Sequence, residues 1–196
     1  MGRDARIQAA GEVYHVISKG NRGCRLYADE DEFRVFLKLL GRIATRHSWA
    51  CLSFCLMTNH YHLVLRLLES TLSDGMRELN GGFARFTNLR HGLDGHLFRN
   101  RFWSEPIEDE TRMLQTARYV VLNPVRAGLC RSPEEWRWSS YRACAGLEFA
   151  PPLLAVGEHL KHFGPTPAEA REAFRRFVRA GATVGASAPA PRCQTL

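Results

Sequence analysis

Lysine is scarce in this chain. Of 27 basic side chains only Lys19, Lys38 and Lys161 are lysines, so the positive charge is almost entirely guanidinium. Long apolar runs are missing too. Every apolar stretch is broken by His, Arg or Asn well short of the roughly 18 residues a membrane-spanning helix needs, so a membrane partner is excluded. Six cysteines are present but none form C-x-x-C, which argues against a zinc ribbon. Cys51 and Cys55 lie in an apolar stretch and read as buried thiols. The segment Met1 to Ala10 carries charges but no apolar core, so no export signal is expected. The expectation is a reduced protein of the cytoplasm, associated with the nucleoid. No internal repeat is evident.

What is present is a foldable composition with a basic bias. The 196 residues are 45% hydrophobic and 24% charged, enough for one domain with an ordinary core and an appendage. The 27 basic residues outnumber 20 acidic ones, for a formal charge of +7. Such a surface attracts polyanions, nucleic acid above all, and arginine forks suit phosphates and base edges.

Val13 to Ile17 is β-branched and aromatic and reads as a strand, followed by a loop at Ser18 to Gly23. A helix follows an acidic first turn at Asp29 to Glu32, with Phe33, Phe36, Leu37, Leu40, Ile43 and Ala44 along one face. Trp49 to Met57 and His60 to Leu67 read as antiparallel strands across a Thr58-Asn59 turn. Thr71-x-x-Asp74 has the form of a capping box ahead of a helix with Leu72, Met76, Leu79, Phe83 and Phe86 on one face. Leu97 to Glu105 is a candidate fourth strand ended by Pro106. A third helix should run from Glu110 to Leu122 and stop at Asn123-Pro124.

The order is β-α-β-β-α-β and then a helix. It predicts an α+β, ferredoxin-like fold: an antiparallel four-stranded sheet with both long helices on one face. Residues 1–148 form the expected main domain. Residues 149–181 read as a linker and a basic amphipathic helix, opened by a capping box at Thr166 to Glu169, and 182–196 as a disordered tail. Docking of that helix through Phe174 and Phe177, arginines outward, is favoured over DNA contact.

Two pairs of residues can carry chemistry. His60 and His62 alternate on a strand, so they share a face, and two imidazoles there can share a metal ion. They make an incomplete shell and need a third group. Tyr119 and Asn123 are four apart on a helix and also share a face. A phenol can act as nucleophile and an amide oxygen can bind metal, although a core aromatic and a helix-terminal Asn are the plainer reading. His15 reads as a satisfied strand histidine. Phe102 and Trp103 read as core rather than as base-stacking side chains, and Trp136 and Trp138 as anchors of the last segment.

Four segments carry a family resemblance. Met57-Thr58-Asn59-His60-Tyr61-His62-Leu63-Val64 resembles the metal-binding strand of HUH single-strand nucleases. Tyr119-Val120-Val121-Leu122-Asn123-Pro124-Val125-Arg126-Ala127-Gly128-Leu129 resembles the nucleophile helix of single-tyrosine transposases. Trp138-Ser139-Ser140-Tyr141, with the opening strand and loop Val13 to Gly23, is similar to the REP-associated tyrosine transposase branch. The resemblance spans residues 12–145 and leaves out the tail helix. It implies a divalent ion, Mg²⁺ or Mn²⁺, on His60, His62 and Asn123, with Tyr119 attacking a DNA phosphodiester to form a 5′-phosphotyrosine. It implies single-stranded DNA with a palindromic, REP-like hairpin as substrate, and a monomer or homodimer as the working form. Lys19, Arg22, Arg25, Arg85, Arg90, Arg99 and Arg101 are the candidate DNA contacts. The competing reading is a domesticated regulator that binds hairpin DNA or RNA without cutting it.

Overall fold

A computed structural model describes residues 9–184 of the chain. Four strands, β1 (Val13–Lys19), β2 (Trp49–Leu56), β3 (His60–Leu67) and β4 (Trp103–Ile107), form one sheet in the order β2-β3-β1-β4. Every neighbouring pair is antiparallel. Helices α1 (Glu30–Arg46) and α2 (Leu72–His91) pack together over one face, and α3 (Glu110–Arg126) crosses the other against β2 and β3. This is the α+β, ferredoxin-like arrangement the element order predicts.

Strand alternation sorts side chains between the two faces. In β1, Tyr14 and Val16 join the core beneath α1 and α2, whereas Val13 packs with the α3 side. In β3, Tyr61, Leu63, Leu65 and Leu67 enter the first core, and Val64 the second. Their neighbours in alternation, His15, His60 and His62, therefore face α3.

The helix α1 starts as its sequence predicts. Asp29 is the N-cap and its carboxylate accepts the Glu32 N–H at 3.1 Å, which satisfies one of the orphan donors of the first turn. Buried Glu32 accepts from the Ala28 N–H at 2.7 Å and meets His91 Nε2 at 2.5 Å, tying the start of α1 to the end of α2. At the head of α2 the expected capping box does not form: Thr71 makes no side-chain cap. Its hydroxyl instead donates to the His47 carbonyl at 2.9 Å and accepts from Trp49 Nε1 at 3.1 Å. Tertiary partners have outcompeted the local one.

Both prolines expected to end elements lie inside them. Pro106 pairs with Tyr14 within β4. The strand is at the sheet edge, where a missing N–H costs no ladder bond. Residues 97–102 do not extend it. They run beside the loop after β1, with Asn21 N–H donating to Leu97 O and Arg99 N–H to Lys19 O. Gly20 bridges Phe98 in this loop, and a Cβ there would lie 2.3 Å from the Cys24 carbonyl, so only glycine fits. Pro124 lies within α3, which continues to Arg126 rather than stopping at Leu122. Val121, Leu122 and Pro124 are buried, so packing holds the helical path that local preference disfavours. The helix ends four residues later than predicted. Gly128, at φ 69°, donates to Val125 O, and Leu129 donates to Pro124 O, the paired bonds of a Schellman stop.

The chain then returns along β2. Ser140 N–H donates to Phe54 O, Leu56 N–H donates to Trp138 O, and Trp136 Nε1 donates to Leu56 O at 3.1 Å. Trp138 stacks on Phe33 with centroids 4.5 Å apart, so both tryptophans anchor this segment. Short helices α4 (Tyr141–Cys144) and α5 (Val156–Leu160) precede α6 (Pro167–Val184). Thr166 caps α6, accepting the Glu169 N–H at 3.3 Å. Phe174 and Val178 are buried and Phe177 packs beneath Arg118, so α6 docks on the same core. Arg171, Arg176 and Arg179 point outward. Arg175 does not: it donates to the Ala145 carbonyl at 2.9 Å. Residues 185–196, most of the expected disordered tail, lie outside the described residues, as does Cys193. Among the described residues no helix is long and apolar enough to cross a membrane.

Candidate metal and nucleophile site

The site lies on the α3 face at one end of β1 and β3. The antiparallel register sets Ile17 opposite His62 and Lys19 opposite His60, which leaves His15 diagonal to His62. The His60 and His62 rings are 5.0 Å apart between centroids. His15 and His62 stack at 5.2 Å with a 16° interplanar angle, and His15 Nε2 lies 3.0 Å from His62 Nδ1. Asn59, in the β2–β3 turn, accepts through Oδ1 from His60 Nδ1 at 2.7 Å.

Helix α3 brings Tyr119 over this row. Its ring is 5.9 Å from that of His62 and 6.4 Å from that of His15, nearly perpendicular to both. Asn123, one turn on, donates its amide N–H to the Tyr119 carbonyl at 3.0 Å, which leaves its side-chain oxygen out of that bond. The Arg126 guanidinium lies 5.0 Å from the Tyr119 ring centroid. The paired candidates thus come together as His60 with His62 and Tyr119 with Asn123, and the two pairs meet at His62 and Tyr119.

The electrostatics favour neutral imidazoles. Burial, reinforced by Lys19, lowers His60 to about 4. Burial lowers His15 to about 4, with Arg112 adding to it. His62 is pushed well down by burial, then by His15, His60 and Lys19. Neutral rings keep a lone pair for a cation. Burial raises the Tyr119 phenol, while the Arg126 charge and the Asn123 side chain pull it back. His62 Nε2 is fully buried with no partner. A nitrogen in that state is costly unless something binds it. Among the described residues no three His, Cys, Asp or Glu side chains converge on one point. Any third protein group to act beside His60 and His62 on a cation would have to be of another residue type, as Asn123 is.

The candidate basic contacts fall into three groups. Lys19, Arg22, Arg25, Arg99 and Arg101 are exposed, and the backbone bonds between residues 19–21 and 97–99 join them into one surface at the His60 end of the sheet. Arg85 is exposed on α2, beside Leu89 and Asp94 in a shallow pocket. Arg90 is engaged in the fold, bonding Asp29 at 2.5 and 3.3 Å. Trp103 departs from its expected core role. It is 43% exposed, with its ring edge-on to His15 at 5.6 Å, whereas Phe102 is buried. Sequence reasoning missed His15, Asn59 and Arg126 as parts of this site. Asn59 and Arg126 flank the candidates in the same segments, which was a usable signal. His15 required the β1–β3 register.

Residues 12–123 match the family model described as Transposase IS200 like. A protein of Haemophilus influenzae assigned to the REP-associated tyrosine transposases is 23% identical over 132 residues, 62% of this chain and 73% of its own. A solved REP-associated tyrosine transposase bound to a REP hairpin superposes with a TM-score of 0.63 at 17% identity, covering 79% of this chain and 92% of that one. That likeness bears on the fold.

Proposed function

Because the chain belongs to the IS200-like transposase family, we propose that it cleaves and rejoins single-stranded, hairpin-bearing DNA through a covalent Tyr119 intermediate with a divalent metal. One observation carries the reading: the imidazoles of His60 and His62 and the Tyr119 phenol share a single patch, and His62 Nε2 is buried there without a partner.

The residues fit a cation. Asn59 Oδ1 takes the Nδ1 proton of His60, so Nε2 of that ring holds the lone pair. His62 Nε2 and the Asn123 oxygen would complete a mixed imidazole and amide set, which would admit Mg²⁺ and suit Mn²⁺ better. When bound, the ion would polarise the scissile phosphate, neutralise charge in the transition state and favour the phenolate.

In the proposed step Tyr119 Oη attacks phosphorus in line. A tyrosyl O–P bond forms, the P–O3′ bond breaks, and the leaving 3′ oxygen takes up a proton as the phenol loses one. The product is a 5′-phosphotyrosine and a free 3′-hydroxyl. A second 3′-hydroxyl reverses the exchange and expels Tyr119, so joining needs no external energy source. An ordinary tyrosine, with a pKa of about 10, is only about a thousandth ionised near pH 7. Arg126, beside the Tyr119 ring, opposes the effect of burial and favours the phenolate.

The surface formed by Lys19, Arg22, Arg25, Arg99 and Arg101 would track the phosphates of the DNA towards His60. A REP-like hairpin as ligand is supported by the solved relative that carries one. Residues 1–148 would be the catalytic unit, working as a monomer or homodimer. The test is incubation of end-labelled single-stranded oligonucleotides carrying host repeats with Mn²⁺ or Mg²⁺. A denaturant-resistant adduct lost with EDTA and in Tyr119→Phe is expected. Tight hairpin binding without an adduct would point to a non-cleaving regulator. Free fragments that persist in Tyr119→Phe would mean hydrolysis by water.

A further inference from the structure

The contact between His15 and His62 is a bond between two ring nitrogens, and only one of them can carry the proton. His15 Nε2 and His62 Nδ1 are 3.0 Å apart, and the ring planes are within 16° of parallel. If His15 donates, His62 holds its proton on Nε2, and that N–H is buried with nothing to receive it. If His62 donates, Nε2 presents a lone pair instead. Of the four nitrogens in the pair only His62 Nε2 is both fully buried and without a partner, so the direction of this bond decides what the site offers.

The neighbouring histidine settles its own case by the same device. Asn59 Oδ1 can only accept, so His60 carries its proton on Nδ1 and leaves Nε2 bare. We infer that His15 is the positioning residue for His62: it accepts the Nδ1 proton, fixes the ring, and so presents Nε2 as an electron-pair donor toward a divalent cation. His15 sits on the adjacent strand with its ring wedged between those of His62, Trp103 and Tyr119, so its orientation is set by the sheet rather than by a mobile loop. An accepting partner of this kind orients a metal-binding imidazole and raises its basicity. The inference rests on the metal reading of His60 and His62.

Two measurements on the full chain test it. The first is a ring ¹⁵N–¹H correlation spectrum of the metal-free protein, which reads tautomers directly. The expected result is His62 protonated on Nδ1; a His62 protonated on Nε2 overturns the inference. The second is Mn²⁺ affinity from electron paramagnetic resonance of the free ion. His15→Leu should weaken it about 10- to 100-fold. His15→Gln, whose amide oxygen can accept the same proton, should recover it to within about threefold of wild type. Equal affinity in His15→Leu and wild type, or a His15→Gln as weak as His15→Leu, contradicts the role while leaving the metal site standing. A wild-type chain that takes up no Mn²⁺ overturns the metal reading and this inference with it.

Discussion

The two faces of the sheet are built by the same strands and obey different rules. Under α1 and α2 the contacts are dry and aromatic: Tyr27, Phe36, Tyr61 and Phe83 surround one another with ring centroids between 4.8 and 5.7 Å apart. Beneath α3, one residue away in the alternation, the far end of the face is apolar, with Val64, Met113 and Val120, but the near end holds His15, His60, His62 and Tyr119. Burying imidazoles beside one another costs stability that leucines would supply. A sheet that packs tightly on one face can carry buried polar groups on the other. The difference separates what holds this fold from the residues proposed to carry its chemistry.

That comparison can be broken most forcefully from the dry face. Phe36→Ala should lower unfolding free energy by about 3–5 kcal/mol in denaturant titration, because Phe36 is fully buried against the rings of Tyr27, Tyr61 and Phe83. His62→Leu on the opposite face should change stability by only about 1 kcal/mol, since it removes one unpartnered nitrogen and orphans another, while abolishing Mn²⁺ binding. Equal stability losses in the two variants would erase the distinction.

A buried imidazole outside the site sharpens it. His159, packed against Phe163 and Phe174, is lowered by burial to about 4 from an ordinary 6.5, with His162 adding to the shift. As pH falls below 6.5 the unfolded chain takes this proton first, so stability declines until about pH 4. The loss through this one group is on the order of 3 kcal/mol. His15, His60 and His62 are lowered in the same way and add to the slope, so His159→Leu should reduce it by one group's share in pH-dependent thermal unfolding; an unchanged slope would remove His159 as a contributor. A smaller effect is expected at the rim. Trp103→Ala should weaken single-stranded DNA binding by about 1 kcal/mol, one lost stacking contact, without a comparable change in stability. Loss of stability with DNA affinity intact would return Trp103 to the core.

Much of this was legible in the chain because local signals agreed with the fold. The acidic turn and 3,4 apolar spacing that predict α1 are those of the helix, and Asp29 is its cap. The span of β3 was readable to the residue, and the shared face of His60 and His62 followed from a period of two. The misreadings share one cause. Rules for isolated segments make Pro106 and Pro124 stops and Thr71 a cap. An edge position, a buried helix face and a partner in β2 changed the outcome in each case. Arg90, a candidate phosphate contact by charge alone, is paired with Asp29 by the packing of α2 on the start of α1. His15 could not be assigned because strand pairing, not strand sequence, brings it to His62.

The most direct test of the account is to locate the DNA on the protein. A chain reacted with a single-stranded repeat oligonucleotide and Mn²⁺ would be denatured, digested with trypsin and nuclease, and mapped by mass spectrometry. The account predicts a 5′-linked deoxynucleotide on the peptide Tyr119 to Arg126, borne by Tyr119. A deoxynucleotide on Tyr14, Tyr141 or any other residue, with Tyr119 unmodified, would contradict it.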